Sequence, residues 1–543
     1  MGLFVISRFY TTPELKCHIV YDIMRTINML RIKDLTIETE VGKKIVENLN
    51  LHLNKGDKLA VIGEEGNGKS TLLKTIYNKK DVEDYCKIYG EIHKKGLTIG
   101  YLEQSLDSNW SNQKVGTYFL KEKPDSDIDY TKFEDINRIL KKLSKIGIDP
   151  SILDSEQLIK DLSGGEKVKI QIAKILTKDP DILLLDEPTN DLDIPTLEWL
   201  EDFILTQKTP IIFVSHDETL LEKTANRILH LEHLKGSNTS RHTIANVGYE
   251  EYVTNREKAL EKQEQMYNME KREYLKDKQI LSRQKSIIRT KQITIDDSST
   301  RRILNKQMRN ILVRERKTEE KRKTERVQVE DPIYMEFDKR AVVPKGRVVL
   351  NLNIKELKIG KKVLAKDIKL FVKGPEKIAI IGQNGTGKTT LLKEILHALD
   401  KKEGLKVGYM PQNYNEVLDD DMKVFDYITK ELEDLDEDLM RAYIGSIKLT
   451  WEEMSGFVKD LSLGQKAKVI LLKMMLEGNN VLVLDEPTRN MSSLSNPVIR
   501  KMLRDFKGSI ISVSHDRKFL KEVCDKVYRL SSTGLKEVRE SLF

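Results

Sequence analysis

One thirteen-residue pattern occurs twice in this chain, and it restricts the fold more than any other feature. An apolar strand, a turn spaced G-x-x-x-x-G-K-[ST] and a helix start follow one another at Leu59–Thr71 and again at Ile378–Thr390. In this context the backbone N–H groups surround phosphate and the lysine reaches its outer oxygens. A single match is also compatible with an ordinary strand–helix turn, whereas two copies in context favour nucleotide binding. The residues predicted to bind nucleotide here are Gly63, Glu64, Glu65, Gly66, Asn67, Gly68, Lys69, Ser70 and Thr71, and Gly382, Gln383, Asn384, Gly385, Thr386, Gly387, Lys388, Thr389 and Thr390.

Each copy also contains an apolar run that ends in paired carboxylates, at Asp181–Pro188 and Asn480–Pro487. Continuous apolar runs are typical of strands buried on both faces of a parallel sheet. The first carboxylate of each pair suits Mg²⁺, and the second suits polarising the attacking water. The predicted Mg²⁺ ligands are Ser70, Asp186, Thr389 and Asp485. A histidine follows a third strand in each copy; alone it would more often be structural, but at matching positions it indicates a γ-phosphate contact. The predicted catalytic residues are Glu187, His216, Glu486 and His515.

Between the copies lies a segment, residues 249–337, with the composition of a long helical linker. Glycine and proline are absent from residues 251–330, where 22 Lys and Arg face 14 Asp and Glu, an excess of eight positive charges. We expect two helices of about 35 residues, each reaching roughly 50 Å, joined at a basic tip near residues 285–300. A solvated spacer or coiled coil is the alternative. A basic tip suits nucleic acid, so the candidate RNA contacts are Arg283, Lys285, Arg289, Lys291, Arg301 and Arg302.

The bulk composition sets wider limits. At 543 residues the chain should hold two or more domains. No run approaches the roughly 18 apolar residues of a membrane span, so we expect no membrane contact and a cytoplasmic location. Three scattered cysteines indicate neither a metal site nor a disulfide framework. Residues 1–28 match nothing downstream and are interpreted as an N-terminal extension; one hypothesis is that translation starts at Met24 or Met29.

The segment Leu162–Glu166, with the sequence LSGGE, resembles the signature motif of ATP-binding cassette (ABC) ATPases. The resemblance implies an α/β fold with two ATP-binding-cassette nucleotide-binding domains, residues 29–248 and 338–543, joined by a long α-helical hairpin linker. It further implies ATP hydrolysis with Mg²⁺, each signature closing over the nucleotide that the other cassette holds. Gln104 and Gln412 stand at the family's Q-loop position near Mg²⁺. The signature residues carried over are Ser163, Gly164, Gly165 and Glu166, and Ser462, Gly464 and Gln465.

Two cassettes with a charged helical linker are similar to the ABC-F branch. Members of that branch bind the ribosome near the exit-site tRNA and extend the linker toward the peptidyl-site tRNA and the peptidyl-transferase centre. The resemblance therefore implies the ribosome, through rRNA and tRNA, as partner, and no obligate protein partner. Gln104 to Leu162 spans 58 positions against 49 from Gln412 to Leu461, which leaves little room for the extra arm of many housekeeping members. This favours protection of the ribosome against antibiotics. The alternatives are a housekeeping translation factor that relieves stalled ribosomes and, more remotely, the ATPase subunit of a transporter or a DNA-handling ATPase.

The second cassette departs from the family pattern in two places. Leu463 replaces the first glycine of the signature, and Ser495 or a neighbour replaces the D-loop acid Asp193. Because a side chain at Leu463 hinders close backbone approach to phosphate, we expect the site built on Lys69 to hydrolyse ATP more slowly than the site built on Lys388. The alternative is that both sites turn over alike. No aromatic residue stands at the usual adenine-stacking place before either glycine-rich turn, which leaves the choice between ATP and GTP open.

Overall fold

The computed structural model describes residues 30–129, 136–233, 240–294, 297–320, 341–430, 447, 449 and 451–538. Residues 1–28, the proposed extension, and residues 321–340, which include the end of the predicted linker, lie outside this set. The residues divide into two compact units, of which one is Glu250–Glu330 and the other contains both cassettes.

The first cassette alternates strands and helices, as its hydrophobic runs predict. Its elements are β1 (Arg31–Thr39), β2 (Lys44–His52), β3 (Lys58–Ile62), α1 (Lys69–Tyr77), β4 (Cys86–His93), β5 (Ile99–Leu102), α2 (Val115–Leu120), α3 (Ile136–Lys145), α4 (Gly164–Leu176), β6 (Ile182–Asp186), α5 (Ile194–Thr206), β7 (Ile211–Val214), α6 (Glu218–Thr224), β8 (Arg227–His233) and β9 (Ser240–Ala245). Strands β2, β1 and β4 form an antiparallel sheet. The larger sheet has the order β5-β6-β7-β3-β8-β9 and is parallel except for β9.

The central strands of the larger sheet bring the motifs together. Every residue of β3, β6 and β7 is buried, as expected for strands covered on both faces. The glycine-rich turn follows β3, the carboxylate pair ends β6, and His216 follows β7. Because β3 pairs with β7 and β7 pairs with β6 in parallel, all three motifs lie at one edge of the sheet.

The linker lies between the two cassettes in sequence. It contains two helices, α7 (Tyr249–Thr294) and α8 (Ser298–Glu320). At 1.5 Å per residue, the 46 residues of α7 reach about 69 Å. The expected 35 residues were therefore too few for this helix. Helix α7 ends at Thr294 and α8 begins at Ser298, so both helix ends lie within the predicted tip region, residues 285–300.

The two linker helices pack through a narrow apolar seam. Leu281 and Ile288 on α7 cluster with Leu304 and Ile311 on α8. Each pair is seven residues apart, which is the spacing of an antiparallel coiled-coil contact. The amide of Gln292 donates to Asn305 Oδ1 at 2.8 Å near the turn. This part of the linker is therefore packed as a short antiparallel coiled coil.

The second cassette repeats the first. Its elements are β10 (Val348–Ile359), β11 (Lys362–Lys373), β12 (Lys377–Ile381), α9 (Lys388–Leu399), β13 (Val407–Met410), α10 (Val424–Thr429), α11 (Trp451–Ser455), α12 (Leu463–Leu476), β14 (Val481–Asp485), α13 (Asn496–Asp505), β15 (Ser509–Val513), α14 (Arg517–Val523), β16 (Lys526–Ser531) and β17 (Gly534–Val538). Its larger sheet has the order β13-β14-β15-β12-β16-β17, which matches the first cassette strand for strand. Across the described ranges, no helix combines the length and the apolarity that crossing a membrane requires.

Candidate nucleotide-binding sites

In each glycine-rich turn, the glycine before the lysine is the N-cap of the following helix, and its backbone is in the left-handed conformation. Gly68 has φ 76° before α1, and Gly387 has φ 93° before α9. A Cβ on Gly68 would lie 2.0 Å from Ile45 Cγ2, so both conformation and space require glycine. The turn can then present its backbone N–H groups beside the positive end of the helix dipole.

The lysine of each turn bonds the backbone of its own turn. Lys69 Nζ donates to the carbonyl oxygens of Gly63 at 2.8 Å and Glu64 at 3.0 Å. Lys388 Nζ donates to the carbonyl oxygens of Gly382 at 2.8 Å and Gln383 at 3.1 Å. Both ammonium groups therefore lie inside the curve of the turn, where the charge of a phosphate would meet them.

The predicted magnesium ligands are in contact within each cassette. Ser70 Oγ donates to Asp186 Oδ1 at 2.9 Å, and Thr389 Oγ1 donates to Asp485 Oδ2 at 2.8 Å. Burial raises the pKa of both aspartates, because water no longer stabilises their charge. A hydroxyl beside a buried carboxylate is an oxygen donor set that fits Mg²⁺, whose charge would replace the lost hydration.

Tyr101 is a neighbour of this pair that sequence reasoning missed. Its hydroxyl donates to Asp186 Oδ2 at 3.3 Å. The signal was present, because a tyrosine stands three residues before each Q-loop glutamine, at Tyr101 and Tyr409. Within the described residues, the Tyr409 hydroxyl has no hydrogen-bond partner, so the two sites differ here.

The second carboxylate of each pair stands in a strained backbone conformation. Glu187 has φ 47° and Glu486 has φ 55°, values that side-chain-bearing residues seldom adopt. Burial raises the pKa of Glu187 and of Glu486 to about 8 in each case. A carboxylate with a pKa near neutrality, held at the end of a buried strand, is suited to accept a proton from water.

Each glutamate has the predicted histidine beside it. Burial lowers the pKa of His216 to about 3 and that of His515 to about 4. Both imidazoles are therefore neutral at physiological pH and can donate one hydrogen bond without adding charge. In the second cassette the backbone N–H of His515 also donates to Glu486 Oε2 at 3.2 Å.

Both signature motifs begin a helix through the same reciprocal cap. The Ser163 N–H donates to Glu166 Oε2 at 2.8 Å, and Ser163 Oγ accepts from the Glu166 N–H at 3.3 Å. The same capping box occurs in the second cassette, where the Ser462 N–H donates to Gln465 Oε1 at 2.9 Å and the Gln465 N–H donates to Ser462 Oγ at 3.3 Å. The two helix starts are thus alike in spite of the substituted glycine.

Leu463, the residue expected to hinder the approach of the signature to phosphate, is 59% exposed. Gly464 is the residue that approaches the first cassette, since a Cβ there would lie 2.6 Å from Glu65 Cδ. The altered signature therefore faces the turn that carries Lys69, and the steric effect expected of Leu463 stays a prediction.

A cavity of about 470 Å³ surrounds the second glycine-rich turn. Six predicted residues of that turn line it, namely Asn384, Gly385, Gly387, Lys388, Thr389 and Thr390. Gln412, Asp485, Glu486 and His515 also line it, as do Asn190 and Asp191 of the first cassette. Ile359 lines the cavity as an aliphatic residue at the place where an adenine-stacking aromatic is usual. The predicted signature residues Ser163 to Glu166 are absent from the described lining, and Gln104 of the other site is exposed.

A buried ionic network joins the cassettes beside these sites. Arg500 on α13 donates to both oxygens of Glu218 on α6, at 2.5 and 3.1 Å, and to Glu522 at 3.0 Å. Lys518 on α14 adds a contact to Glu218 at 3.1 Å. Across the cassette interface the first cassette supplies the acid Glu218 and the second supplies the bases Arg500 and Lys518, while Glu522 binds Arg500 within the second cassette. Single-sequence patterns cannot pair residues 282 positions apart, so this network was not predicted.

The loop after the second carboxylate pair also contacts the first residue of α7. The Tyr249 hydroxyl, which is buried, donates to the backbone oxygen of Ser493 at 3.1 Å. Burial raises the pKa of Tyr249, so the phenol stays protonated and remains a donor.

Comparison with known proteins agrees with this geometry. Residues 46–190 and 365–489 each match the ABC transporter family. The chain is 30% identical over 509 residues to the ATP-binding protein Uup of Buchnera aphidicola, covering 90% of this chain and 78% of that protein. It is 26% identical over 548 residues to ABC transporter F family member 5 of Arabidopsis thaliana, covering 91% of this chain and 74% of that protein.

Among solved structures, a similar fold occurs in the complex of archaeal ribosomal stalk protein aP1 and archaeal ribosome recycling factor aABCE1. The TM-score is 0.57 at 16% identity, covering 93% of this chain and 90% of that one. The predicted fold class, two ABC ATPase domains with a long helix between them, is confirmed. ATP hydrolysis follows from the same domains. The chain therefore belongs to the ABC family of ATPases, as a two-cassette member whose relatives are ABC-F proteins.

Proposed function

We propose that this protein is a cytoplasmic ABC-F ATPase that binds the ribosome and extends its linker toward the peptidyl-transferase centre, where it protects translation from ribosome-targeting antibiotics. The observation that carries the proposal is the linker. A helix of 46 residues in the linker, without internal glycine or proline, has the length for such reach, and its charge suits RNA.

Basic side chains on the distal half of the linker support an RNA contact. Arg283, Arg289, Lys291 and Arg302 are exposed. Lys285 is paired with Glu315, so it is a weaker candidate than the others. The side chain of Arg301 lies outside the described residues.

The two sites would each bind ATP with Mg²⁺. Lys69 and Lys388 would meet the phosphates, and each serine or threonine with its aspartate would hold the metal ion. Glu187 and Glu486 would polarise the attacking water, with His216 and His515 at the γ-phosphate. ATP would close the cassettes and admit the linker, and hydrolysis would release the protein.

A translation factor that relieves stalled ribosomes without any drug is the second candidate. The short interval between Gln104 and the first signature favours protection over this role, because housekeeping ABC-F proteins often insert an extra arm there. The solved structure of similar fold is that of a protein named a ribosome recycling factor, which supports ribosome binding under either candidate.

Co-sedimentation with ribosomes tests the proposal. The Glu187→Gln/Glu486→Gln double variant should pellet with ribosomes in ATP and remain in the supernatant without nucleotide. Expression of the wild type in a susceptible host should then raise the inhibitory concentration of a peptidyl-transferase antibiotic, while the double variant should not. Absence of pelleting in both conditions would refute ribosome binding. Pelleting without a change in susceptibility would favour the translation-factor role.

A further inference from the structure

The two glycine-rich turns differ in charge at one pair of positions. The first turn contains Glu64 and Glu65 where the second contains Gln383 and Asn384. Two carboxylates in a turn built to surround phosphate repel a polyphosphate, because like charges at short range raise its free energy of binding. The first turn therefore carries two acidic side chains where the second carries two amides.

The second cassette binds these carboxylates. Ser492 Oγ donates to Glu64 Oε2 at 2.9 Å, and Ser495 Oγ lies 3.1 and 3.2 Å from the two Glu64 oxygens. Lys468 Nζ on α12 lies 3.8 Å from Glu64 Oε2 and 3.7 Å from Glu65 Oε2. We call these five residues, Glu64, Glu65, Lys468, Ser492 and Ser495, the interface latch.

The serines reach the first turn through a longer loop. From the threonine after the carboxylate pair to the next proline there are nine positions in the second cassette, Thr488 to Pro497, against six in the first, Thr189 to Pro195. Ser495 precedes α13 at the N-cap, the place that Asp193 occupies before α5. Asp193 caps its own helix, whereas Ser495 makes no side-chain cap and donates to Glu64 instead.

Burial distinguishes the latch from the matching contacts at the other site. The Lys468 side chain is 6% exposed, with Glu64 at 14% and Glu65 at 13%. At the Lys388 site, Asn384 Nδ2 donates to Asp191 O at 2.5 Å, and Arg489 pairs with a 57% exposed Asp191 carboxylate at 2.8 Å. Solvent weakens an exposed pair, whereas separating buried opposite charges leaves each one unpaired. The contacts of the first turn with the opposite cassette should therefore be harder to separate than those of the second turn.

We propose that the interface latch holds the Lys69 half of the cassette interface shut in every nucleotide state, so that ATP binding and hydrolysis open and close the Lys388 half alone. Glu64 accepts the serine hydroxyls and both carboxylates pair with Lys468, and these are groups of the second cassette that would otherwise meet a triphosphate. The Lys69 half then acts as a hinge, and the Lys388 half as the moving side. This inference rests on ATP hydrolysis alone and holds whether or not the protein binds ribosomes.

Paired spin labels at matching positions of the two cassettes test the latch. With Cys17, Cys86 and Cys524 replaced by alanine, one pair at Val41 and Asp460 reports on the Lys69 half. The equivalent pair at Ile359 and Asp161 reports on the Lys388 half. All four label sites are exposed. Distances are measured by double electron–electron resonance without nucleotide and with Mg²⁺ and ATP in the Glu187→Gln/Glu486→Gln background.

The Val41/Asp460 distance should be the same in both conditions, while the Ile359/Asp161 distance should shorten with ATP. The Glu64→Gln/Glu65→Asn variant, which copies the second turn, should make the Val41/Asp460 distance respond to ATP as well. Ser492→Ala/Ser495→Ala removes only the hydroxyl donors and should give the same response in a smaller fraction of molecules. A Val41/Asp460 distance that changes with ATP in the protein with an unmodified latch would overturn the proposal. So would a Val41/Asp460 distance that stays independent of ATP in both latch variants.

Discussion

His216 Nε2 lies 3.1 Å from Glu187 Oε1, whereas His515 Nε2 lies 3.8 Å from Glu486 Oε1. The same pair of residue types at the end of the same strands is therefore closer in the first cassette than in the second. A histidine that contacts its own glutamate is less free to contact phosphate. This difference and the two acidic residues of the first glycine-rich turn both favour the prediction that the Lys388 site is the more active one.

Replacing the two glutamates singly should give unequal enzymes. Glu486→Gln should lower kcat for ATP by about 100-fold, because glutamine cannot accept the proton of the attacking water. Glu187→Gln should lower it by less than about threefold if the Lys388 site carries most of the turnover. Steady-state phosphate release measures both, with binding of a fluorescent ATP analogue as the control for intact sites. Similar residual rates would exclude the asymmetry.

The rate of hydrolysis should rise with pH through the neutral range. Burial raises the pKa of Glu486 to about 8, so the carboxyl is mostly protonated at pH 7 and mostly ionised at pH 9. Only the ionised form accepts a proton, and kcat should therefore increase by about tenfold between these values. The pKa of His515 is lowered to about 4, so this histidine does not titrate in the range. A Glu486→Gln variant should show a flat profile, and a flat profile in the wild type would contradict the assignment.

Removing Arg500 should weaken the cassette interface. Its side chain is 3% exposed, and its loss leaves Glu218 buried with less positive charge, at a cost of about 3–5 kcal/mol. Urea denaturation of the Arg500→Ala variant measures this loss. Arg504→Ala on the same helix is the matched control; its side chain is 51% exposed and pairs with Asp505 at 3.9 Å, so its effect should stay within about 0.5 kcal/mol. Equal effects of the two substitutions would show that the network adds nothing to stability.

Alanine at four basic positions of the distal linker should weaken ribosome binding and flatten its salt dependence. The variant replaces Arg289, Lys291, Arg301 and Arg302. If each contacts a phosphate, the slope of log K against log salt should fall by about three. The control replaces four exposed lysines of the proximal linker, Lys258, Lys262, Lys271 and Lys276, and should bind normally. Alanine favours helix in both sets. An unchanged slope in the distal variant would exclude those side chains as RNA contacts.

Adjacent isoleucines of α7 provide a test of the linker seam. Ile288 is 8% exposed in the seam and Ile287 is 55% exposed outside it. Ile288→Ala should destabilise the paired helices by about 2 kcal/mol, the lower end for a buried isoleucine. Ile287→Ala should have little effect. Hydrogen exchange of the amides between residues 281 and 311 reports the difference, and equal protection in both variants would refute the packing.

Sequence reasoning reached the parts of the site that lie close together in the chain. Each glycine-rich turn is recognisable from one continuous stretch of strand, turn and helix start. Each carboxylate pair is recognisable from the apolar strand that it ends. The parallel sheet then brings Ser70 to Asp186 because strands of this kind end at one edge. These local motifs repeat, and the repetition is what made them recognisable.

What the sequence did not reveal depends on contacts between distant segments. Glu64 and Ser492 are 428 positions apart, and nothing near either residue indicates that they meet. The length of α7 was underestimated for a different reason. Ile287, Ile288 and Thr290 disfavour helix by propensity alone, but the seam around Ile288 offsets that preference by burial.

The hydrogen bond from Tyr249 to Ser493 places the first residue of α7 against the same loop that supplies Ser492 and Ser495 to the first cassette. Tyr249 is therefore both a buried donor to this loop and the residue at which α7 begins. A substitution that shifts the backbone of Ser493 would also remove the hydrogen-bond acceptor of that first residue.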